Sequence, residues 1–62
     1  MGRKKDKEGA RKRQAEIMAA AFRCFGEKGF HKTSMQEICK AAGMSPGTVY
    51  YYFKSKDEII TH

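Results

Sequence analysis

The chain has no tryptophan, a single proline and two cysteines among its 62 residues. It has no apolar run of the roughly 18 residues that a membrane-spanning helix needs. Its charged N-terminus is not followed by the apolar stretch of about 7–15 residues that marks a secretory signal. We therefore expect a cytoplasmic protein that does not span a membrane.

The two cysteines are too few for a disulfide framework and too far apart for the CxxC spacing of a zinc site. Cys24 and Cys39 have only His31 and His62 as further potential metal ligands. We expect both cysteines to be reduced thiols packed in the core. The sequence therefore predicts no metal and no cofactor.

The short length and the absence of catalytic motifs argue against an enzyme. A domain of 62 residues buries only about 60% of the surface that its unfolded chain exposes, which leaves room for one modest core. No paired carboxylates share one face, and no Ser, His and Asp form a recognisable catalytic arrangement. We expect one small domain that binds a partner.

Positive charge is concentrated at one end of the chain. The sequence carries 13 Lys and Arg against 7 Asp and Glu, a formal net charge of +6. Seven of the basic and three of the acidic side chains lie in residues 1–16, a net +4. Residues 1–9 hold no large apolar residue after Met1, so we expect a disordered basic arm, either a nucleic-acid-binding element or a solubilising leader. Charge alone does not choose between a nucleic acid and an acidic membrane surface.

Apolar periodicity predicts four helices, at about 10–28, 35–42, 46–53 and 56–62. The first has one wide apolar stripe and ends at Gly29, after which Phe30 can fold back onto the helix end. The three short helices have N-terminal start signals, in which a serine caps the helix and a glutamate or proline follows. These signals are Ser34 with Glu37, Ser45 with Pro46, and Ser55 with Glu58. The predicted fold is all-α, a three-helix bundle followed by the start of a fourth helix.

Two short helices joined by a tight turn at Gly43 form the helix-turn-helix arrangement, here at about residues 34–53. In that arrangement the second helix enters the major groove of DNA. Cys39 is expected where the two helices cross, because only a small side chain fits there. The expected shared core consists of Ile38, Met44, Val49 and Phe53.

The remaining surface of the third helix is unusual for a face that only meets water. A thin edge of Gly47 and Thr48 permits close approach, and the Thr48 side chain offers a hydroxyl and a methyl group to base edges. Rigid tyrosine rings beside this edge can place hydroxyl groups near phosphates. Packing against the core is an equal alternative for Tyr50 and for Tyr52.

Lysines on either side of Ser55 provide charge near the start of the fourth helix. Lys54 and Lys56 are therefore candidates for contact with a phosphate, against the alternative of solvated surface lysines. The fourth helix has only just begun when the sequence stops at His62. Its two adjacent isoleucines would need other apolar residues to bury them. We therefore expect the chain to be the N-terminal piece of a longer protein, against the alternative of a natural mini-protein with a frayed end.

The motifs "GFHKTSMQEI" and "AAGMSPGTVYYYFKSKDEI", and their spacing, resemble the N-terminal DNA-binding domain of the tetracycline-repressor (TetR) family of bacterial regulators. The similar stretch runs over residues 17–60 of the expected 10–62 domain. The resemblance implies a DNA-binding head, followed in the whole protein by an all-helical C-terminal domain that dimerises and binds a small effector. By family pattern the DNA-contacting positions are Ser34, Gln36, Ser45, Gly47, Thr48, Tyr50, Tyr51, Tyr52 and Lys56, with Thr33 a weaker phosphate candidate.

The function that this resemblance implies is sequence-specific DNA binding by the head of a transcriptional regulator in the bacterial nucleoid. The expected partner is a palindromic operator read in the major groove, and the expected regulator is a repressor released by its effector. The full-length protein is then a homodimer and this chain alone a monomer. The alternative is a basic amphipathic module that binds an acidic membrane surface or an acidic protein partner.

Overall fold

A computed structural model describes residues 2–61, with side chains from residue 9 onward. It contains the helices α1 (Gly2–Lys28), α2 (Met35–Ala42), α3 (Pro46–Tyr52) and α4 (Lys56–Thr61), and no strand within the described residues. The predicted all-α fold is confirmed. Met1 and His62, where the expected arm begins and the expected fourth helix ends, lie outside the described residues.

The first helix begins earlier than the sequence analysis expected. Residues 2–9, expected to be a disordered arm, form the first turns of α1 instead. Lys, Arg and Glu lose little side-chain freedom in a helix, so a sequence rich in them can extend a helix that is already nucleated. The apolar stripe that starts at Ile17 provides that nucleus. The basic segment is therefore corrected from a disordered arm to a helical one.

One core is shared by all four helices. Its members are at most 3% exposed and are partly covered by Met18, Phe25, Met35, Met44 and Tyr52. Full burial of a large apolar side chain contributes about 1.5–3 kcal/mol, so these few residues supply most of the packing energy of so short a chain. The core consists of Ile17 and Ala21 of α1, Ile38 and Cys39 of α2, Val49 of α3, Phe53, and Ile59 of α4.

Hydrogen bonds at both ends hold α2 between the predicted bounds. Ser34 Oγ accepts from the Glu37 N–H at 3.1 Å, and Glu37 Oε1 accepts from the Ser34 N–H at 3.1 Å, which completes the capping box. At the other end Gly43 has a φ of 71°, a left-handed conformation that is easy only for glycine. The Met44 N–H then donates to the Cys39 carbonyl at 3.0 Å. This closed turn sets the direction in which the chain enters α3.

The starts of α3 and α4 also follow the serine signals, with one difference. Ser45 Oγ accepts from the Thr48 N–H at 3.3 Å, and Ser55 Oγ accepts from the Glu58 N–H at 3.4 Å. Glu58 Oε1 accepts from the Lys54 N–H at 2.7 Å and does not bond the Ser55 N–H as a capping box would require. Glu58 thus ties the turn after α3 to the first turn of α4.

The connection between α1 and α2 is held by a ring contact and an ion pair. Gly29 has a φ of 94°, and the Phe30 ring lies 5.1 Å from the Phe25 ring, as the predicted fold-back requires. Lys28 Nζ donates to Glu37 Oε2, which joins the last turn of α1 to the first turn of α2. Glu37 therefore serves the cap of its own helix and the contact with α1.

We expect stability to depend on the ionisation of Glu37. Hydrogen bonds from Lys28 and from the Ser34 N–H lower the pKa of Glu37 below its ordinary value. A carboxyl group whose pKa is lowered on folding stabilises the fold above its unfolded-state pKa, and loses this contribution as the pH falls through the folded-state pKa. The melting temperature of the wild type should exceed that of Glu37→Gln near neutral pH, and the difference should shrink as the pH falls below about 4.3.

Thermal melts followed by circular dichroism across pH 3–7 measure this difference. Comparison with the Glu37→Gln variant removes the contribution of the other carboxylates, which both proteins share. A difference in melting temperature that stays constant over the whole range would contradict the role assigned to Glu37.

Candidate nucleic-acid interface

Burial of one side of α3 determines which residues face outward. Val49 is 0% exposed and Phe53 is 2% exposed, whereas Tyr51 on the opposite side is 76% exposed. Gly47 and Tyr50 are exposed and Thr48 is half-buried. We refer to the outward surface of Gly47, Thr48, Tyr50 and Tyr51 as the α3 face. The structure brings these four predicted site residues together on two turns of one helix.

The tyrosines divide between packing and exposure. Tyr52 is half-buried and packs against the core. Its ring meets the Tyr51 ring edge to face, with 5.0 Å between the ring centroids. Tyr50 is 39% exposed and is not among the residues that pack against the core. Tyr52 therefore supports the position of Tyr51, while Tyr50 and Tyr51 offer their rings to a partner.

Two hydroxyl groups meet at the edge of the α3 face. Ser45 Oγ and Thr48 Oγ1 lie 3.0 Å apart, and Ser45 Oγ also accepts from the Thr48 N–H. Their mutual hydrogen bond uses one donor and leaves acceptor positions and one hydroxyl hydrogen for other partners. Both predicted contacts are thus held in fixed positions beside Gly47.

Two predicted residues at the start of α2 lie close to the start of α3. Ser34 and Gln36 are exposed, and they line a shallow groove together with Met44 and Pro46. The Ser34 hydroxyl already accepts the capping hydrogen bond, which leaves its own hydrogen and one acceptor position for a partner. The two residues therefore extend the polar surface from the α3 face onto α2.

Thr33 does not belong to this surface. It is 1% exposed, and its Oγ1 lies 2.8 Å from the Gly29 carbonyl and 3.2 Å from the Cys24 carbonyl, to which it donates. A hydroxyl group buried against two carbonyl oxygens cannot reach a phosphate. The expectation of a phosphate contact at Thr33 is corrected to an internal role, which is to fasten the α1–α2 turn to the end of α1.

The two lysines beside Ser55 occupy different environments. The Lys54 side chain is exposed and fits the predicted phosphate contact. Lys56 is half-buried, donates from Nζ to the Phe30 carbonyl at 2.6 Å, and lies 4.5 Å from the centroid of the Phe30 ring. A cation held over an aromatic ring is stabilised by the negative face of that ring. Lys56 thus connects the start of α4 to the α1–α2 turn and keeps part of its donor capacity for a partner.

A basic residue of α1 that the sequence analysis did not single out joins the α3 face. Arg13 lines an open concavity together with Ser45, Gly47, Thr48, Tyr51 and Tyr52. In the sequence, Arg13 is one of seven basic residues in the charged segment 1–16. The four-residue spacing between Arg13 and the fully buried Ile17 could have predicted this position. Residues one helical turn apart lie on the same side of α1.

No helix among the described residues combines the length and the apolar character needed to cross a bilayer. Within residues 2–61 there is also no group of three or more His, Cys, Asp or Glu side chains placed to hold a metal ion.

Comparison with known proteins identifies a family and several relatives. Residues 17–62 match the family model described as bacterial regulatory proteins, tetR family. The HTH-type transcriptional regulator UidR of Escherichia coli K12 is 47% identical over 47 residues, which is 76% of this chain and 24% of UidR. YfiR, an uncharacterized HTH-type transcriptional regulator of Bacillus subtilis 168, is 46% identical over 59 residues, 95% of this chain and 29% of YfiR.

A third relative, the fatty acid metabolism regulator protein of Bacillus subtilis 168, is 38% identical over 50 residues. These 50 residues are 81% of this chain and 26% of that relative. The chain therefore spans about a quarter of the length of the curated relatives that it matches. No solved structure matches the chain at a significant level.

The internal role of Thr33 predicts that its hydroxyl supports stability. Thr33→Val keeps the shape of the side chain but leaves the two carbonyl oxygens without their buried donor, which should cost about 1–2 kcal/mol. Urea unfolding of the two proteins measures the difference. Thr61→Val is the matched control, because Thr61 is exposed and its hydroxyl bonds only to carbonyls of its own helix. Equal effects of the two substitutions would contradict the assignment.

Proposed function

Since the chain belongs to the tetR family of bacterial regulatory proteins, we propose that its α3 face reads operator DNA in the major groove. The observation that carries this proposal is the arrangement of α3, which buries Val49 and Phe53 and presents Gly47, Thr48 and Tyr51 outward. The α2–α3 pair has helix-turn-helix geometry, in which the second helix supplies the base contacts. DNA-binding regulation of transcription is the function of the family, and the α3 face is its proposed site here.

The residues of the α3 face suit different parts of a duplex. Thr48 offers a hydroxyl to a base edge and a methyl group to the methyl of thymine. The rings of Tyr50 and Tyr51 are large and stiff, so they can pack beside sugars and donate from their hydroxyl groups to phosphates. Ser34, Gln36 and Lys54 are exposed polar residues outside this face, and they suit contact with the DNA backbone.

Gly47 supports the proposal because nothing inside the chain requires a glycine there. A Cβ at Gly47 would meet no atom within 4 Å, and its φ is not positive. Alanine would be more favourable than glycine in a helix. Because Gly47 has no side chain, another molecule can approach the backbone of α3 closely at this point. Contact between α3 and base edges requires such a close approach.

Further parts of the proposal concern the whole protein. The relatives are about three times as long as this chain, so a further domain is where we place dimerisation and the binding of a small effector. We place the regulator in the bacterial cytoplasm, at the nucleoid, as a repressor released from a palindromic operator. A dimer joins two heads on one operator, so this chain alone should bind DNA in the weak range of about 10⁻⁴–10⁻⁶ M at physiological salt.

Substitutions on the α3 face should weaken DNA binding without changing the fold. We expect Thr48→Ala and Tyr51→Ala each to lower affinity about three- to tenfold, because each removes exposed contacts with the duplex. The probe is a labelled duplex enriched by selection with this chain from a random-sequence pool, and fluorescence anisotropy at low salt measures binding. Helix content by circular dichroism should stay unchanged.

Thr61→Ala is the matched control for Thr48→Ala, since Thr61 is exposed on α4. Tyr51→Phe separates the contribution of the ring from that of the hydroxyl group. Unchanged affinity in both alanine variants would contradict groove reading by α3. That result would indicate that the basic segment of α1 binds the duplex. It would favour the alternative hypothesis, in which the chain binds an acidic membrane surface or an acidic protein partner.

Gly47→Ala tests close approach in a way that separates binding from stability. The added methyl group meets open space in the chain and favours the helix, so stability should rise by at most about 1 kcal/mol. Affinity for the enriched duplex should fall, because the methyl group keeps α3 away from the base edges. Urea unfolding and anisotropy measure the two quantities. Retained affinity in this variant would show that Gly47 does not face the bases.

A further inference from the structure

The concavity between α1 and α3 brings a cation to a group of hydroxyl-bearing side chains. Its lining consists of Arg13 together with Ser45, Gly47, Thr48, Tyr51 and Tyr52. None of these residues is acidic, and four of them carry a hydroxyl group. A guanidinium that only donates and hydroxyls that can donate suit an anion with several oxygen atoms, such as a phosphate.

Arg13 is available to bind such an anion. Its side chain is exposed, and no carboxylate of residues 9–61 lies within salt-bridge distance of it. Ile17, one helical turn further along α1, is 0% exposed, so its packing fixes the rotation of α1 and keeps Arg13 beside α3. The planar guanidinium donates two parallel hydrogen bonds to a phosphate, which a lysine ammonium cannot do.

We propose that this concavity seats one phosphate of the DNA backbone, and that Arg13 of α1 binds it while the α3 face lies in the groove. The inference rests on the proposed function and adds a residue of a different helix to its site. Phosphates border the groove that receives a recognition helix, so a cation beside that helix meets the backbone strand. The contact between Arg13 and the phosphate carries no sequence information. It sets how deeply α3 enters the groove and which base pairs α3 faces.

The shape of the concavity favours a backbone phosphate over a free ion. It is open to solvent and is continuous with Gly47 and Thr48, the edge that we place against the bases. A small free anion would keep most of its water there and gain little. A phosphate that belongs to a duplex docked on α3 is held in place by all the other contacts of that duplex.

Binding measured as a function of salt concentration tests this assignment. With the enriched duplex and with a scrambled duplex of the same length, Arg13→Gln should lower the affinity about three- to tenfold. It should make the slope of log K against log salt shallower by about 0.9, the value for one lost phosphate contact. The ratio of the two affinities should stay the same. Arg13→Lys should retain the slope and lose part of the affinity.

Arg11→Gln is the matched control, because it also removes one positive charge from α1. Arg11 is exposed and does not line the concavity. Its effect on affinity should be smaller than that of Arg13→Gln. Unchanged helix content and melting temperature in all variants exclude a loss of fold as the cause. Equal effects of Arg11→Gln and Arg13→Gln would overturn the inference, since general attraction would then explain both.

Neutral methylphosphonate groups, placed one at a time along the enriched duplex, locate the phosphate. At one position the substitution should weaken binding of the wild type but leave binding of Arg13→Gln unchanged. Additive losses at every position would overturn the inference. Inorganic phosphate that competes better than chloride at equal ionic strength, with the wild type but not with Arg13→Gln, would also overturn it and assign the concavity to a free anion.

These outcomes separate the inference from the proposed function. If the wild type prefers the enriched duplex but shows no special dependence on Arg13, only the phosphate seat is contradicted. If the wild type shows no preference among duplexes, the proposed function itself fails.

Discussion

Burial of two side chains one helical turn apart, Val49 and Phe53, determines what this small domain can present to a partner. Both lie against the core to which α1 and α2 contribute Ile17 and Ile38, so α3 has one rotational setting. Because α3 has only seven residues, the side chains that do not pack against the core are few. Every remaining side of the helix therefore faces outward or toward α1. The outward position of Gly47, Thr48, Tyr50 and Tyr51 follows from this one constraint.

Local signals predicted the short helices well because those helices are set by local chemistry. Ser34, Glu37 and Gly43 are sufficient to define both ends of α2, since each forms its hydrogen bonds within a few residues of the helix. Long-range relations were harder to predict. Nothing in the neighbourhood of Thr33 shows that it is buried under the end of α1, and nothing near Lys56 shows that it meets Phe30, 26 residues earlier.

The N-terminal segment illustrates a different limit of sequence reasoning. Residues 2–9 have nothing to bury, which favours disorder when the segment is considered alone. As the continuation of a packed helix, the same residues need only helix propensity, and charged side chains have it. Arg13 was grouped with this segment by its charge, although its spacing from Ile17 places it with the core-bound part of α1. The net positive charge of the segment indicates that the partner is an anion. The position of Arg13 on the packed helix indicates which part of that partner it contacts.

The account assigns recognition to the α3 face and general attraction to the basic turns of α1. The most direct measurement is a titration of the ¹⁵N-labelled chain with the enriched duplex, followed by amide chemical shifts. The account predicts that the largest shift changes occur at Gly47, Thr48, Tyr50 and Tyr51, with a scrambled duplex producing much smaller changes there. Changes confined to residues 2–12, and equal for both duplexes, would contradict it.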